Sequence, residues 1–203
     1  MKFNHLLLTF IGCLLAQFLI AQNISIGVST GIGSTRFEFE NRTEALYMPY
    51  GFHVEYAATK NVSGLLELRT YAVQPSFVDR DASQTVVYSE KYGDSALRLA
   101  VQGGLPLSPS IKPILNLGLD YYFGNQVTTN YPLTPNSETI YEYASNIGIT
   151  GGLGVKVRLG GFNFFIKRQH SGVKKTIKEA NNLVPNEFRA KYRDNIIGLE
   201  FEF

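Results

Sequence analysis

The sequence predicts an all-β fold: an eight-stranded antiparallel up-and-down transmembrane β-barrel. Three observations lead there. Apolar and polar residues alternate in eight separate segments, the connections alternate between short and long, and the bulky side chains gather on one face of each segment. Period-two alternation places successive side chains on opposite faces of a strand, so each segment meets two different surroundings.

Taken in order, the first segment sets Ile24, Ile26, Val28 and Ile32 against Ser25, Gly27, Ser29, Gly31 and Gly33. The second sets Tyr50, Phe52, Val54 and Tyr56 against Gly51, His53 and Glu55. The third and fourth place Leu66 and Leu68 opposite Glu67, Arg69 and Tyr71, then Leu97, Leu99 and Val101 opposite Arg98, Ala100 and Gln102. In the fifth, Leu115, Leu117, Leu119, Tyr121 and Phe123 oppose Asn116, Gly118, Asp120 and Tyr122. The sixth runs from Ile147 to Leu159, with Gly148, Thr150, Lys156 and Arg158 on its polar face. The seventh sets Phe162, Phe164 and Ile166 against Asn163, Phe165 and Lys167, and the tail sets Ile197, Leu199, Phe201 and Phe203 against Ile196, Gly198, Glu200 and Glu202.

The short connections are "TKNVS", "PLSPSIK" and Gly160-Gly161; the long ones cover about residues 35–48, 74–93, 125–143 and 169–191. Turns at one end and loops at the other are the pattern of an outer-membrane barrel. Each segment is close to the roughly 9–11 residues that cross a bilayer at a tilt.

The faces explain why the surroundings should be lipid. A soluble barrel turns its apolar face inward. Here the polar face is rich in glycine and alanine, which suits a crowded interior, while the aliphatic and aromatic face would be a poor surface in water. Tyr50, Tyr56, Tyr121, Phe123, Phe162 and Phe203 fall near strand ends, where interfacial aromatic girdles form. The inward face carries Glu55, Glu67, Asp120, Glu200 and Glu202 together with Arg69, Arg98, Lys156, Arg158 and Lys167. Isolated charges are costly in a narrow lumen but paired ones are tolerated, so this balanced set is expected to form a self-neutralising network.

Residues 1–21, "MKFNHLLLTFIGCLLAQFLIA", combine an early lysine, an apolar stretch and a small residue before Gln22, the grammar of a signal peptide. A membrane anchor and a lipid-modified Cys13 are the other readings of this stretch. Cleavage after Ala21 would leave a barrel domain over 22–203 with no cysteine, since Cys13 is the only one. Disulfides and thiol chemistry are then excluded. A net charge of +2 with scattered bases argues against a nucleic-acid partner.

With the leader, the eight segments and the closing "GLEFEF" in view, the chain resembles the PorT-like outer-membrane barrel domains and is similar in architecture to the small OmpA/OmpX-type barrels. The resemblance implies residence in the cell outer membrane, contact with outer-membrane lipid, and delivery by the barrel-assembly machinery. It implies that Leu199, Phe201 and Phe203 form the carboxyl-terminal assembly signal. It also implies a structural role, or a part in a secretion or surface assembly with a protein partner, and the alternative is a lipid-modifying hydrolase.

Candidate chemistry is sparse. His170 adjoins Ser171, but neighbours on a strand point to opposite faces, and the His-x-Ser spacing of the barrel lipid hydrolases is missing. "GITGGLG" is followed by no helix, so it is not a phosphate cradle; its glycines are expected to make room for Tyr71 or Tyr122. No catalytic, cofactor or metal residues are assigned. The long connection over about 169–191 and the residues just after it, with Lys174, Lys175, Lys178, Arg189, Lys191 and Arg193 against Glu179 and Glu187, are expected to form a charged outer loop beside lipid phosphates or a partner.

Overall fold

A computed structural model describes residues 23–38, 45–74, 76–130, 139–178 and 186–203; the expected leader and Glu179 lie outside them. The strands are β1 (Ile24–Phe37), β2 (Ala45–Ala57), β3 (Val62–Val73), β4 (Ser76–Arg80), β5 (Val86–Gly104), β6 (Ile111–Asn130), β7 (Thr139–Glu142), β8 (Asn146–Leu159), β9 (Phe162–Thr176) and β10 (Glu187–Glu202). Neighbouring strands are antiparallel, and the β5–β6 and β1–β10 pairings close the sheet into a ring of β1, β2, β3, β5, β6, β8, β9 and β10. The two short strands add no stave. β4 follows β3 and pairs with the first part of β5, while β7 precedes β8 and pairs with the last part of β6.

The register fixes the stagger. The row Ile149–Leu119–Leu99–Leu66–Val54–Ile26–Phe201–Phe162–Leu159 passes once around the ring and returns to β8 ten residues from its start, from 149 to 159. Ten residues of stagger across eight staves tilt the strands by about 40°, given the rise and spacing of β-strands. Every member of this row is apolar and faces outward. Above and below it the outer surface carries Val28, Phe52, Leu68, Leu97, Val101, Leu117, Leu153, Ile166 and Leu199, all substantially exposed. Such a surface on a closed barrel belongs in hydrocarbon, where no sheet edge can be left unpaired.

The staves run from 12 to 20 residues and so exceed what a bilayer needs. This corrects the expected loop boundaries. Much of 35–48, 74–93, 125–143 and 169–191 is strand, because backbone pairing continues after the outward residues have turned polar. In the extensions the faces exchange character. Phe37, Phe77, Tyr92, Val127, Tyr143, Ile177 and Phe188 pack inside, whereas Arg36, Lys91, Gln126, Lys174 and Arg189 face out. The loop end is therefore built like a soluble barrel on top of a membrane barrel.

Two glycines show how narrow the interior is. A Cβ on Gly198 would lie 2.3 Å from the Phe165 ring and 2.6 Å from the Val28 carbonyl oxygen. At the turn end, Gly160 adopts a φ of 67°, as the first central residue of a type II′ hairpin requires, and Leu159 pairs with Phe162 across it. Gly198→Val should therefore sharply reduce the fraction of protein migrating as a heat-modifiable folded band on unboiled gels. Gly64→Ala, where a Cβ would meet nothing within 4 Å, should leave that fraction unchanged.

Candidate functional site

The lumen holds the chemistry, and strand parity puts it there. Nearest the turn end, Lys156 Nζ donates to Glu55 (3.0 Å) and Glu200 (2.9 Å). Glu55 also accepts from Ser63 Oγ (2.7 Å) and Gln102 Nε2 (2.8 Å), and Glu200 accepts from Asn163 (3.2 Å). His53 Nε2 lies 3.3 Å from Glu200 across the β1–β2 wall, so its acidic partner is Glu200 and not the neighbouring Glu55. Arg158 and Glu202 pair at 2.7 Å, but they are half-exposed at the mouth and do not belong to the buried interior. They rim a vestibule of ≈ 440 Å³ together with Lys60, Lys112 and Phe203.

One level up, Arg98 binds Asp120 in a two-pronged arrangement, Nε to Oδ1 at 2.7 Å and Nη2 to Oδ2 at 2.9 Å. The two residues are direct cross-strand partners. The remaining Arg98 nitrogen, Nη1, reaches Glu67 at 2.9 Å, and Lys167 approaches the same carboxylate at 3.3 Å. Arg69 lies 3.5 Å from Asp120 and donates to Asp194, which also accepts from the Tyr47 hydroxyl. These charged groups are at most 3 % exposed. Planar guanidinium forks suit such a site because each matches a carboxylate edge while satisfying several acceptors.

Above this lies a tyrosine layer. The Tyr122 hydroxyl is 2.9 Å from Ser171 Oγ, Tyr192 donates to Asp94 at 2.7 Å, and Lys175 ion-pairs with Asp94 with its ammonium over the Tyr122 and Tyr192 rings. Gly148 gives Tyr122 its room, since a Cβ there would sit 3.1 Å from the ring. The expected accommodation of Tyr71 is not made by these glycines. The last layer is the aromatic cap, where Phe37 packs on Tyr92 (4.3 Å), Phe188 (5.1 Å) and Phe77 (5.2 Å) between ring centres.

The structure thus brings Glu55, Glu67, Arg69, Arg98, Asp120, Lys156, Lys167 and Glu200 into linked pairs and leaves Arg158 and Glu202 at the rim. Sequence reasoning missed Asp94, Asp194 and Lys175. The signal was available: Asp94 shares parity with Arg98, Asp194 with Glu200, and Lys175 with Lys167. Lys175 had been placed in an outer loop, and it is instead buried in the lumen. His170 faces out and Ser171 faces in, on a continuous strand, so the two do not meet. Leu199 and Phe201 are exposed on the outer wall; the Phe203 ring is 70 % exposed at the turn end, and its N–H bonds the Ile24 carbonyl at 2.9 Å.

A closed eight-stave barrel with an apolar exterior and a charged, filled interior invites comparison with known structures. It aligns with Neisserial surface protein A at a TM-score of 0.59 and 10% identity, covering 89% of this chain and 97% of that one. The fold is that of small outer-membrane β-barrels. Ail, the attachment invasion locus protein of Yersinia pestis, aligns with a TM-score of 0.52 and 8% identity over 89% of this chain and 99% of its own, in a complex with the heparin analogue sucrose octasulfate. The outer membrane protein OprG from Pseudomonas aeruginosa aligns at 0.50 and 13% identity, covering 88% and 95%. No family model matches the sequence, and no curated protein matches it. The likeness of this chain to these barrels is thus one of shape and not of sequence.

Replacing Glu67 with Ala would leave the buried Arg98 and Lys167 short of their shared counter-charge. The expected loss is about 3–5 kcal/mol of stability, the usual consequence of removing one member of a buried ion group. Urea unfolding in lipid vesicles, followed by circular dichroism because the chain has no tryptophan, measures it. Glu202→Ala, at the half-exposed rim, should cost under about 1 kcal/mol.

Proposed function

We propose that the protein is a sealed outer-membrane barrel with a structural role or a part in a secretion or surface assembly, and not an enzyme or a wide pore. The observation that carries this reading is the filling of the lumen at successive levels: the Lys156 group, the Glu67–Arg98–Asp120 group, the tyrosine layer and the aromatic cap. An eight-stave barrel has an interior just wide enough for side chains, so a diffusion path would have to break several of these layers. The sequence resemblance to PorT-like barrels supports the secretion-assembly limb of the proposal.

Against the hydrolase alternative stands the placement of His170 and Ser171 on opposite sides of the wall. Incubation of folded protein with phospholipid or lipid A should give no released fatty acid, and planar bilayers containing it should show no steady open-channel current. Sustained conductance from single insertions would overturn the sealed reading, and catalytic turnover lost in Ser171→Ala would overturn the non-enzymatic one.

The carboxyl-terminal strand supports contact with the barrel-assembly machinery. Phe203 contributes the last backbone bond of the β1–β10 seam and is exposed just beyond the outward-facing Phe201 and Leu199. Deleting Phe203 should lower the amount of heat-modifiable barrel in outer-membrane fractions while export to the periplasm continues. Normal abundance of folded protein after the deletion would count against an assembly signal here.

A further inference from the structure

The outward wall formed by β9, β10 and the far part of β1 interrupts the apolar belt with cations. Three hydrogen-bonded rows cross it. One reads Leu115, Leu153, Arg168, Asn195, Ile32; the next reads Leu117, Gly151, His170, Arg193, Ser34, Leu46; the third reads Leu119, Ile149, Gly172, Lys191, Arg36. Each row starts among exposed leucines of the belt, and the first two end on Ile32 and Leu46, which are 62% and 70% exposed. In the first two rows the cations therefore have exposed apolar side chains on both sides, and one step further along the wall Lys174 opposes Arg189.

Three features of this wall make it a site. First, Arg36 faces Lys191 and Lys174 faces Arg189 as direct cross-strand neighbours. Opposed like charges destabilise a sheet unless an anion lies between them. Second, the wall supplies only part of that compensation: Glu187 pairs with Lys174 at 2.6 Å and Glu38 pairs with Lys191. Among the described residues no carboxylate lies within ion-pair distance of Arg168 or Arg189. Third, the wall is grooved. Gly172 has no side chain and nothing stands within 4 Å of where one would begin, leaving a depression of ≈ 370 Å³ with Ile149 on one side and Lys174, Arg189 and Lys191 on the other.

We infer that this wall binds the phosphate-bearing headgroup of a lipid in the leaflet at the loop end, an inference that rests on the reading of the barrel as membrane-spanning. The wall climbs from Arg168, among the belt residues, to Lys174 and Arg189 in the loop-end extension, so it crosses the boundary between lipid and water. Tyr50 and Tyr121, exposed on other staves, mark the interfacial zone where aromatic side chains settle. Arginine and lysine stems lie along apolar surface and lift their charged heads to that zone, where phosphate oxygens accept their hydrogen bonds. The apolar side of the groove, at Ile149, suits the first part of an acyl chain below such a headgroup. A soluble phosphate would use the cations and gain nothing from the leucines beside them.

The test uses the full barrel in nanodiscs of phosphatidylcholine doped with a phosphate-monoester lipid, phosphatidic acid or diphosphorylated lipid A, with bound lipid counted by native mass spectrometry. The wild type should retain the monoester lipid over phosphatidylcholine, and the triple variant Arg168→Gln, Arg189→Gln, Lys191→Gln should retain about tenfold less of it. A control pair on another part of the surface, Arg80→Gln with Lys91→Gln, should retain it fully, and heat-modifiable migration of all three proteins confirms equal folding. Equal retention of both lipids by the wild type would overturn the inference, as would undiminished retention by the folded triple variant. Complete displacement of the lipid by excess inorganic phosphate would also overturn it, in favour of a soluble anion. Failure of the wild type to enter nanodiscs at all would instead overturn the membrane-spanning reading beneath it.

Discussion

Hydrocarbon offers no partner to an unpaired backbone N–H or C=O, and from that constraint most of this molecule follows. The sheet must close, so β10 returns to β1 along thirteen paired positions and Phe203 adds one bond more. Closing eight staves with a stagger of ten fixes a barrel radius of about 8 Å to the backbone. That leaves room for one layer of side chains meeting from all walls. Glycines such as Gly27, Gly33 and Gly198 stand where His53, Tyr47 and Phe165 reach across, because the section cannot hold a bulky residue from every wall at once.

The two halves then solve stability differently. In the belt, outward leucines gain little by leaving one apolar surroundings for another, so the hydrophobic effect does not hold the barrel shut from outside. Interior polar contacts must contribute, and burial in a low-dielectric lumen makes them strong only where they are satisfied. Arg98 meets that demand by spending three nitrogens on two carboxylates. Beyond the belt the outer face meets water, apolar burial becomes worthwhile again, and the interior changes to Phe37, Phe77, Phe188 and Val127. The exchange occurs along continuous strands, with the tyrosine layer as the transition: rings for packing, hydroxyls for Asp94 and Asp194.

Alternation made the eight staves legible, together with the inward charges from Glu55 to Glu200. It could not show where the strands end, because it was read through the apolar face, and that face turns polar before the pairing stops. Hence Lys175 was read as loop although it shares parity with Lys167. Between β5 and β6 parity itself fails. Between the pairs Ser95–Phe123 and Gly93–Gln126, β6 advances three residues while β5 advances two. Gly124, at a φ of 63°, takes up the extra residue as a bulge. Inward positions on β6 thereby pass from Asp120 and Tyr122 to Val127 and Thr129. A glycine in a strand signals such an event only weakly, since others in this chain, such as Gly118, sit in regular pairing.

β9 shows why a single strand can carry two unrelated tasks. Its inward residues Lys167, Gln169, Ser171 and Lys175 answer Glu67, Thr150, Tyr122 and Asp94, while Arg168, His170 and Lys174 stand on the other side of the same backbone. The inner set is constrained by partners on four other staves, so substitution there spreads through the lumen. The outer set is bounded by one neighbour on each side and by whatever fills the groove at Gly172. Its charges therefore answer to the surroundings of the barrel and not to its packing. The basic residues that read in sequence as one charged loop divide in three dimensions: Lys175 enters the lumen, while Lys174, Arg189 and Lys191 stand on the outer wall.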